Sequence, residues 1–457
     1  MARGKKASQG LTPEEKLAQA LVPVEEQPYP IPENWCWAYL DKIYCVNPKN
    51  DVEEDADAAF IPMEKISAGM QNDYTFEIQP WKKAKKGHTQ FADGDVAFAK
   101  ISPCFENRKS MVAENLPNGV GGGTTELIIL RQPKILSKYT FWLISDENFI
   151  QGGKNTYSGT VGQQRISMDY VRNYRVPLPP LAEQQRLVDR IESIFAKLDE
   201  AKEKAQAVVD GFELRKSAIL HKAFTGELTA KWRKLHGLDL KNWEYLKIGE
   251  FAQVKGGKRL PKGCSLVTQK TDHPYLRIAD FGDNTIDKTD LHYITEDVFE
   301  QIRSYIIKKE DVYLSIVGTI GRAGVIPEEL DGANLTENAA RIITNRTQPR
   351  YLCLFLSSPQ TQENIKSRIR SATLGKLSLL NIKDIDTPLP TVEEQLEIVR
   401  IINDLFEKES SAKEAAESVL DQIDTMKKAV LARAFRGELG TNDPTEASAV
   451  ELLKSML

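Results

Sequence analysis

Cysteine is sparse and scattered along the 457 residues: Cys36, Cys45, Cys104, Cys264 and Cys353 are odd in number and no two form a CxxC. Neither a disulfide framework nor a zinc site is indicated. Histidine is equally thin, and His88, His221, His236, His273 and His292 never fall at ligand spacing, so no metal is expected. No apolar run approaches the roughly 18 residues of a membrane span, and the opening MARGKKASQGLTPEEK has no apolar signal core. The expectation is a cytoplasmic protein with no membrane partner. The stretch closest to a phosphate-cradling loop, Gly282-Asp283-Asn284-Thr285-Ile286-Asp287-Lys288-Thr289, lacks the second glycine that such a loop uses. Dinucleotide fingerprint, His-Glu-x-x-His helix and Gly-x-Ser-x-Gly elbow are also missing. Asn47-Pro48 is followed by Lys49 and Asn50, with no aromatic on which a flipped base could stack. Catalysis, ATP hydrolysis and amino-methylation by this chain are therefore not expected, and a binding or organising role is the default.

What the chain has is a repeat. Residues 177–228 align without a gap onto 388–439, an offset of 211 residues, with 23 identities in 52 positions. So long a period makes each half a whole domain plus a helix rather than a solenoid unit. Internal two-fold character fits a two-fold or bipartite target. The formal charge is −4, and the segments 181–228 and 392–439 carry 15 basic and 20 acidic residues, leaving 46 and 45 elsewhere. The acid therefore sits in the repeats. Basic clusters sit outside them: Lys82, Lys83, Lys85 and Lys86 before His88, then Lys255, Lys258, Arg259 and Lys262, then Lys366, Arg368 and Arg370. Each could be a solvated face or a phosphate-binding surface.

Six segments are expected: an extension over 1–29 with a short helix over 13–21, a first globular domain over 30–176, a long helix within 177–228, a second domain over 229–387, a second long helix within 388–439, and a tail over 440–457. Order begins at Pro32-Glu33-Asn34-Trp35 and again at Asn242-Trp243, each leading a short strand. Between these points and the repeats, both domains carry β-like runs in matching order: 60–66, 94–103 and 124–131 in the first, 275–281, 310–326 and 338–344 in the second. Their sequences differ, as the reading of two different targets would require. Pro177-Leu178-Pro179-Pro180 and Pro388-Leu389-Pro390 close the domains, and proline suits a helix start. Apolar residues at steps of three and four then predict continuous helices over about 181–224 and its copy. Helices of such length are stable when paired, and an antiparallel coiled coil would set one domain at each end. The fold class is thus mixed α/β (α+β), two similar globular domains separated by two long antiparallel helices. Acid pairs such as Glu393-Glu394 suit a helix start and need no catalytic role.

At Leu178-Pro179-Pro180-Leu181-Ala182-Glu183-Gln184-Gln185 and Leu389-Pro390-Thr391-Val392-Glu393-Glu394-Gln395, each followed by a helix ending Ala-Phe-x-Gly-Glu-Leu, the sequence resembles the specificity (S) subunit of type I restriction-modification systems. Pro32-Glu33-Asn34-Trp35, the 94–107 segment and Gly318-Thr319-Ile320-Gly321-Arg322 are similar to family features, and the resemblance covers about 30–439. It implies a non-catalytic DNA-binding protein with two target recognition domains, each reading one half of a split double-stranded target. The helices would set the gap and dock two methyltransferase (M) subunits, with nuclease-translocase (R) subunits joining the complex. S-adenosylmethionine would belong to M, ATP and Mg2+ to R, and no cofactor to this chain.

Base reading needs Arg, Lys, Asn, Gln, Ser or Thr at a groove edge. Candidates in the first domain are Lys82, Lys83, Lys85, Lys86 and His88 in the loop 81–89, then Asn107, Arg108 and Lys109, then Lys154 and Asn155, and Thr160, Gln163, Gln164 and Arg165. Parallel choices in the second are Lys255, Lys258, Arg259, Thr319, Arg322, Lys366, Arg368, Arg370, Thr373 and Lys376. Glu183, Gln184, Glu394 and Gln395 at the helix starts, with Phe224 and Phe435 at the ends, are candidates for docking M subunits; capping and core packing is the other reading. A two-headed scaffold that binds proteins instead of DNA is the alternative function.

Overall fold

The computed structural model describes residues 12–370 and 375–457. The chain divides into two units, one of 1–204 with 419–457 and one of 205–418. Each unit is therefore built from one globular half and portions of both long helical segments.

In the first unit the strand Cys36–Tyr39 pairs antiparallel with Arg175–Leu178, setting Trp37 opposite Pro177. Two four-stranded sheets lie between them in sequence. One has the order Cys45–Val46, Leu127–Arg131, Val96–Ala99, Ser110–Val112, and is antiparallel throughout. The other runs Glu77–Pro80, Asp57–Ile61, Val120–Gly123, Thr89–Ala92, with its two central strands parallel. Unbroken apolar runs such as Leu127–Leu130 are buried along their whole length, as strands covered on both faces must be. The glycines of Val120–Gly123 admit a close crossing: a Cβ at Gly122 would lie 2.0 Å from the Ala84 carbonyl oxygen.

The second unit repeats this plan strand for strand. Glu244–Lys247 pairs with Asp386–Leu389, setting Tyr245 opposite Pro388. The first sheet is Gln253–Gly256, Ala339–Ile343, Val312–Ser315, Ala323–Val325, and the second is His292–Tyr293, Pro274–Leu276, Ala333–Leu335, Ile306–Ile307. Its central pair is again parallel. The expected strands over 60–66 and 275–281 are shorter and earlier, ending at Ile61 and Leu276, because the chain then turns into short 3-10 helices.

Helix Val392–Phe435 runs unbroken for 44 residues. The first long helix, expected to be continuous, is divided into Leu181–Asp210 and Phe212–Phe224. Gly211 keeps right-handed helical angles, but Arg215 Nη2 donates to the Val208 carbonyl at 2.7 Å. A Cβ at Gly211 would lie 2.4 Å from the Arg215 guanidinium, so the glycine makes room for this bond. The long helices pack as an antiparallel pair. Within the second unit Phe212 lies under Lys413, Arg215 Nε bonds Glu409 at 2.6 Å, and Lys216 lies over Phe406, so contacts advance in opposite directions. Within the first, Lys427 pairs with Asp199 at 2.5 Å and covers the Phe195 ring.

The described part of the expected extension is folded. Thr12 caps helix Pro13–Ala20 through a reciprocal bond with Glu15, and Ala20 is buried. The tail also folds: helix Ala449–Met456 buries Ala449 and Leu453 in the first unit's core. Residues 1–11 lie outside the described residues.

Candidate nucleic-acid interface

Trp81, fully buried, anchors a one-turn helix Trp81–Ala84 and aims its lysines outward. Lys82 is paired with Asp55 at 2.6 Å and Lys85 with Glu54 at 3.1 Å, whereas Lys83 and Lys86 are exposed and form no ion pair with a described residue. His88 is half-buried, its ring against Phe60 and its Nδ1 3.2 Å from the Ala84 carbonyl. The basic cluster thus offers two uncommitted cations.

The 105–109 turn faces inward more than expected. Arg108, only 11% exposed, donates from Nε to the Ser145 carbonyl at 3.0 Å and pairs with Glu147. Lys109 donates to the Met63 carbonyl at 2.9 Å. Arg108 therefore braces the domain instead of reaching a groove edge, and Asn107 is the exposed member. Lys154 ends helix Glu147–Lys154 and Asn155 follows as its C-cap. Beyond them a hairpin projects: Ser158 and Arg165 exchange backbone bonds at 3.0 and 2.9 Å. Arg165 is held bidentate by Glu126 at 2.9 and 2.7 Å, and that guanidinium draws the Glu126 carboxyl below its usual range. Thr160 and Gln163 are exposed at the tip and Gln164 is half-buried. Val161, 95% exposed, is a tip residue that sequence reasoning passed over.

In the second unit Lys255 and Lys258 are exposed, with Lys258 Nζ 5.5 Å from the centre of the Tyr305 ring. Arg259 is paired with Glu337 at 2.7 Å yet remains 80% exposed. Thr319 and Arg322 share a groove of about 650 Å³ with Asp283, Asp287 and Gln362. Arg322 is fixed at its backbone by Ser315 Oγ at 2.8 Å and at its guanidinium by the Phe281 carbonyl. Lys366 and Lys376 are exposed. Arg368 is committed to Asp384, through Nη1 at 2.7 Å and through Nη2 to the backbone carbonyl at 2.9 Å. Lys247 joins Arg368 there, and the two hold the Asp384 carboxyl down at about 2. Arg370 ends helix Pro359–Arg370, and Thr373 lies outside the described residues.

The six docking candidates are all buried inside the chain, where they form two equivalent latches. In the second unit Glu394 Oε1 accepts Thr229 Oγ1 at 2.6 Å and Arg233 Nη1 at 2.5 Å, and its Oε2 accepts Trp243 Nε1 at 2.9 Å. In the first, Glu183 accepts Thr441 Oγ1 at 2.6 Å and Arg186 Nη2 at 2.8 Å, while Arg186 also grips Glu446. Burial pushes the Glu183 carboxyl up, against the pull of Thr441 and Arg186. Gln184 accepts from the Leu136 amide at 3.1 Å and donates to the Pro179 carbonyl at 3.0 Å; Gln395 does the same with Gln348 and Pro390 at 2.8 and 3.0 Å. Phe435 meets Tyr139 edge-on at 5.6 Å and Phe224 meets Tyr351 at 5.5 Å. Each tyrosine donates to a strand carbonyl, of Pro177 or Pro388. Each latch therefore ties the start of one long helix to the chain following the other. These side chains cap and pack, leaving none of their polar atoms exposed to a partner. Thr229, Arg233, Arg186 and Thr441 were not singled out from sequence, although Thr229 and Thr441 follow the repeated Gly-Glu-Leu within two residues.

Two heads of one topology, each locked to an antiparallel helix pair by the same latch, define an internally duplicated α+β protein. The family model described as the type I restriction modification DNA specificity domain matches twice, over residues 46–209 and 240–419, and the chain belongs to that family. The type I restriction enzyme EcoBI specificity subunit of Escherichia coli is 28% identical over 409 residues, covering 83% of this chain and 85% of that protein. The EcoAI specificity subunit of Escherichia coli is 38% identical over 192 residues, 41% of this chain and 33% of that protein, so this match spans about a third of its length. In fold, the chain resembles the HsdS subunit from Thermoanaerobacter tengcongensis with a TM-score of 0.69 at 19% identity, covering 91% of this chain and all of that one. A chain from a structure addressing complex assembly and conformational transition of the type I R-M system gives 0.60 at 20% identity, over 90% and 100%.

Proposed function

We propose that this chain is the DNA specificity subunit of a type I restriction-modification complex, each globular half reading one part of a split duplex target. The observation that carries the reading is duplication of strand order with divergence of surface. Lys83 and Lys86 stand between strands Glu77–Pro80 and Thr89–Ala92, where the second unit has helix Glu296–Ile302; Thr319 and Arg322 stand between Val312–Ser315 and Ala323–Val325, where the first unit has Asn107 and Arg108. One scaffold thereby offers two different readers. Joining them lengthens the recognised sequence, since each good base contact discriminates by about 1–3 kcal/mol. The helix pair sets the gap between half-sites and offers its outward faces to two M subunits, with R subunits joining. In this assembly the chain is non-catalytic; M holds S-adenosylmethionine, R holds ATP and Mg2+, and the complex works in the cytoplasm. The best phosphate contacts are cations that form no ion pair with a described residue: Lys83, Lys86, Lys255, Lys258, Lys366 and Lys376. Arg322, held at a groove edge by its own backbone bond, is the best base-reading candidate. Arg322→Ala in the complex with M should weaken cognate duplex binding or relax discrimination at one half-site by roughly 5–150-fold. Unchanged affinity for cognate and mismatched duplexes would remove Arg322 from the interface, and no sequence preference in the parent complex would favour a protein-binding scaffold.

A further inference from the structure

The first unit contains a cavity of about 590 Å³ that the DNA reading leaves unused. Its walls are the rings of Tyr29, Trp37, Tyr170 and Tyr174, and its cations are Arg175 and Arg436. Trp37 is 2% exposed, and its indole Nε1 has no hydrogen-bond partner among the described residues; Arg175 pairs through Nη2 with Glu26 at 3.0 Å, while its Nε has no partner among them. Arg436 stacks over Tyr29 at 5.4 Å and forms no ion pair with a described residue. Tyr29 in turn meets Trp37 edge-on at 4.9 Å, and the Val22 amide bonds the Trp37 carbonyl at 3.0 Å, so the segment anchored at Val22 brings Pro28 and Tyr29 to one side of the cavity.

The second unit is an internal control for what the fold needs. Strand register makes Tyr245 the counterpart of Trp37 and Asp386 the counterpart of Arg175. The repeated Ala-Phe-x-Gly motif makes Thr225 the counterpart of Arg436. There the ring is 62% exposed and the two arginine positions hold an acid and a hydroxyl, yet the topology is the same. Two arginines among four rings are therefore no requirement of the architecture. Rings stack a planar group, an unpaired guanidinium takes an anion, and the Asn148 and Asn173 amides at the wall can bond ring-edge atoms.

We propose that this cavity binds a nucleoside 5′-monophosphate, the base between the aromatic walls and the phosphate at Arg436, either as a free nucleotide or as the phosphorylated end of a nucleic-acid strand. The test uses the full chain in calorimetric titrations with AMP, GMP, CMP and UMP, alongside adenosine, inorganic phosphate and a 5′-phosphorylated single-stranded hexanucleotide. Saturable binding of at least one monophosphate is expected, with adenosine and phosphate each at least tenfold weaker. Arg436→Ala and Tyr29→Leu should each weaken it at least tenfold. Arg436 is exposed, so its variant should melt with the parent and keep the test sound if Tyr29→Leu unfolds. Binding shared with the hexanucleotide assigns a strand end, and binding of mononucleotides alone assigns a free nucleotide. No binding at millimolar concentration, phosphate binding as well as the nucleotides, or unchanged binding in Arg436→Ala would overturn the proposal. None of these outcomes depends on duplex recognition.

Discussion

Replacing Glu394 by alanine should destabilise the second unit far more than replacing its repeat counterpart Glu183 destabilises the first. The Glu394 side chain is 2% exposed and its partner Arg233 is 7% exposed. Removing the carboxylate strands a buried guanidinium and deprives Thr229 and Trp243 Nε1 of their acceptor, which costs about 3–5 kcal/mol. Glu183 is equally buried, but Arg186 is 36% exposed and keeps Glu446 at 2.7 Å. Loss of Glu183 orphans little beyond the Thr441 hydroxyl, a cost of about 1–2 kcal/mol. A difference of about 1–4 kcal/mol is therefore expected between sites that the repeat makes equivalent. Two units preclude a single two-state transition, so the assay is hydrogen exchange in increasing urea, read separately for peptides of 312–356 and of 96–144. A Glu394→Leu, Arg233→Met double variant should recover most of the loss, because apolar replacement of a buried pair is often neutral. Equal costs at the two sites, or a double variant as unstable as Glu394→Ala, would refute the reasoning.

Gly122→Ala should be severely destabilising, by about 3 kcal/mol or more, since its methyl would need the Ala84 backbone to move from 2.0 Å; parent-like protection of peptides of 96–144 in hydrogen exchange with increasing urea would contradict the close crossing. Asp384, clamped by Lys247 and Arg368, should titrate near 2 by carboxyl NMR. Its folded pKa is lowered, so its contribution is complete above an unfolded value of about 3.9 and is lost as pH falls through about 2. A midpoint near 4 would show that the clamp does not hold in solution.

Much of the architecture was legible because it is written twice. The 177–228 and 388–439 repeat, the tryptophans at 35 and 243, and apolar runs such as Leu127–Leu130 located both heads and both helical segments. Local signals could not locate the break at Gly211, because one glycine in a long helix costs only about 1 kcal/mol and is commonly tolerated. Nor could they separate latch from docking surface: Glu183 and Glu394 read the same at a helix start whether they face a partner or their own chain. Their burial depends on Thr441 and Thr229, which come from beyond the opposite helix. Composition marks the basic clusters, but Lys82, Lys85, Arg108 and Arg368 have acids brought to them by the fold from 16 to 39 residues away.

The central claim is that two unlike heads on one duplicated scaffold read two halves of a split sequence. Mapping methylated adenines in cells that carry this chain with its M partner tests it most directly. The account predicts a two-part motif with a fixed gap, lost when the chain is removed and altered in one half when one head is exchanged. Methylation that persists without the chain, or a single uninterrupted motif, would contradict it.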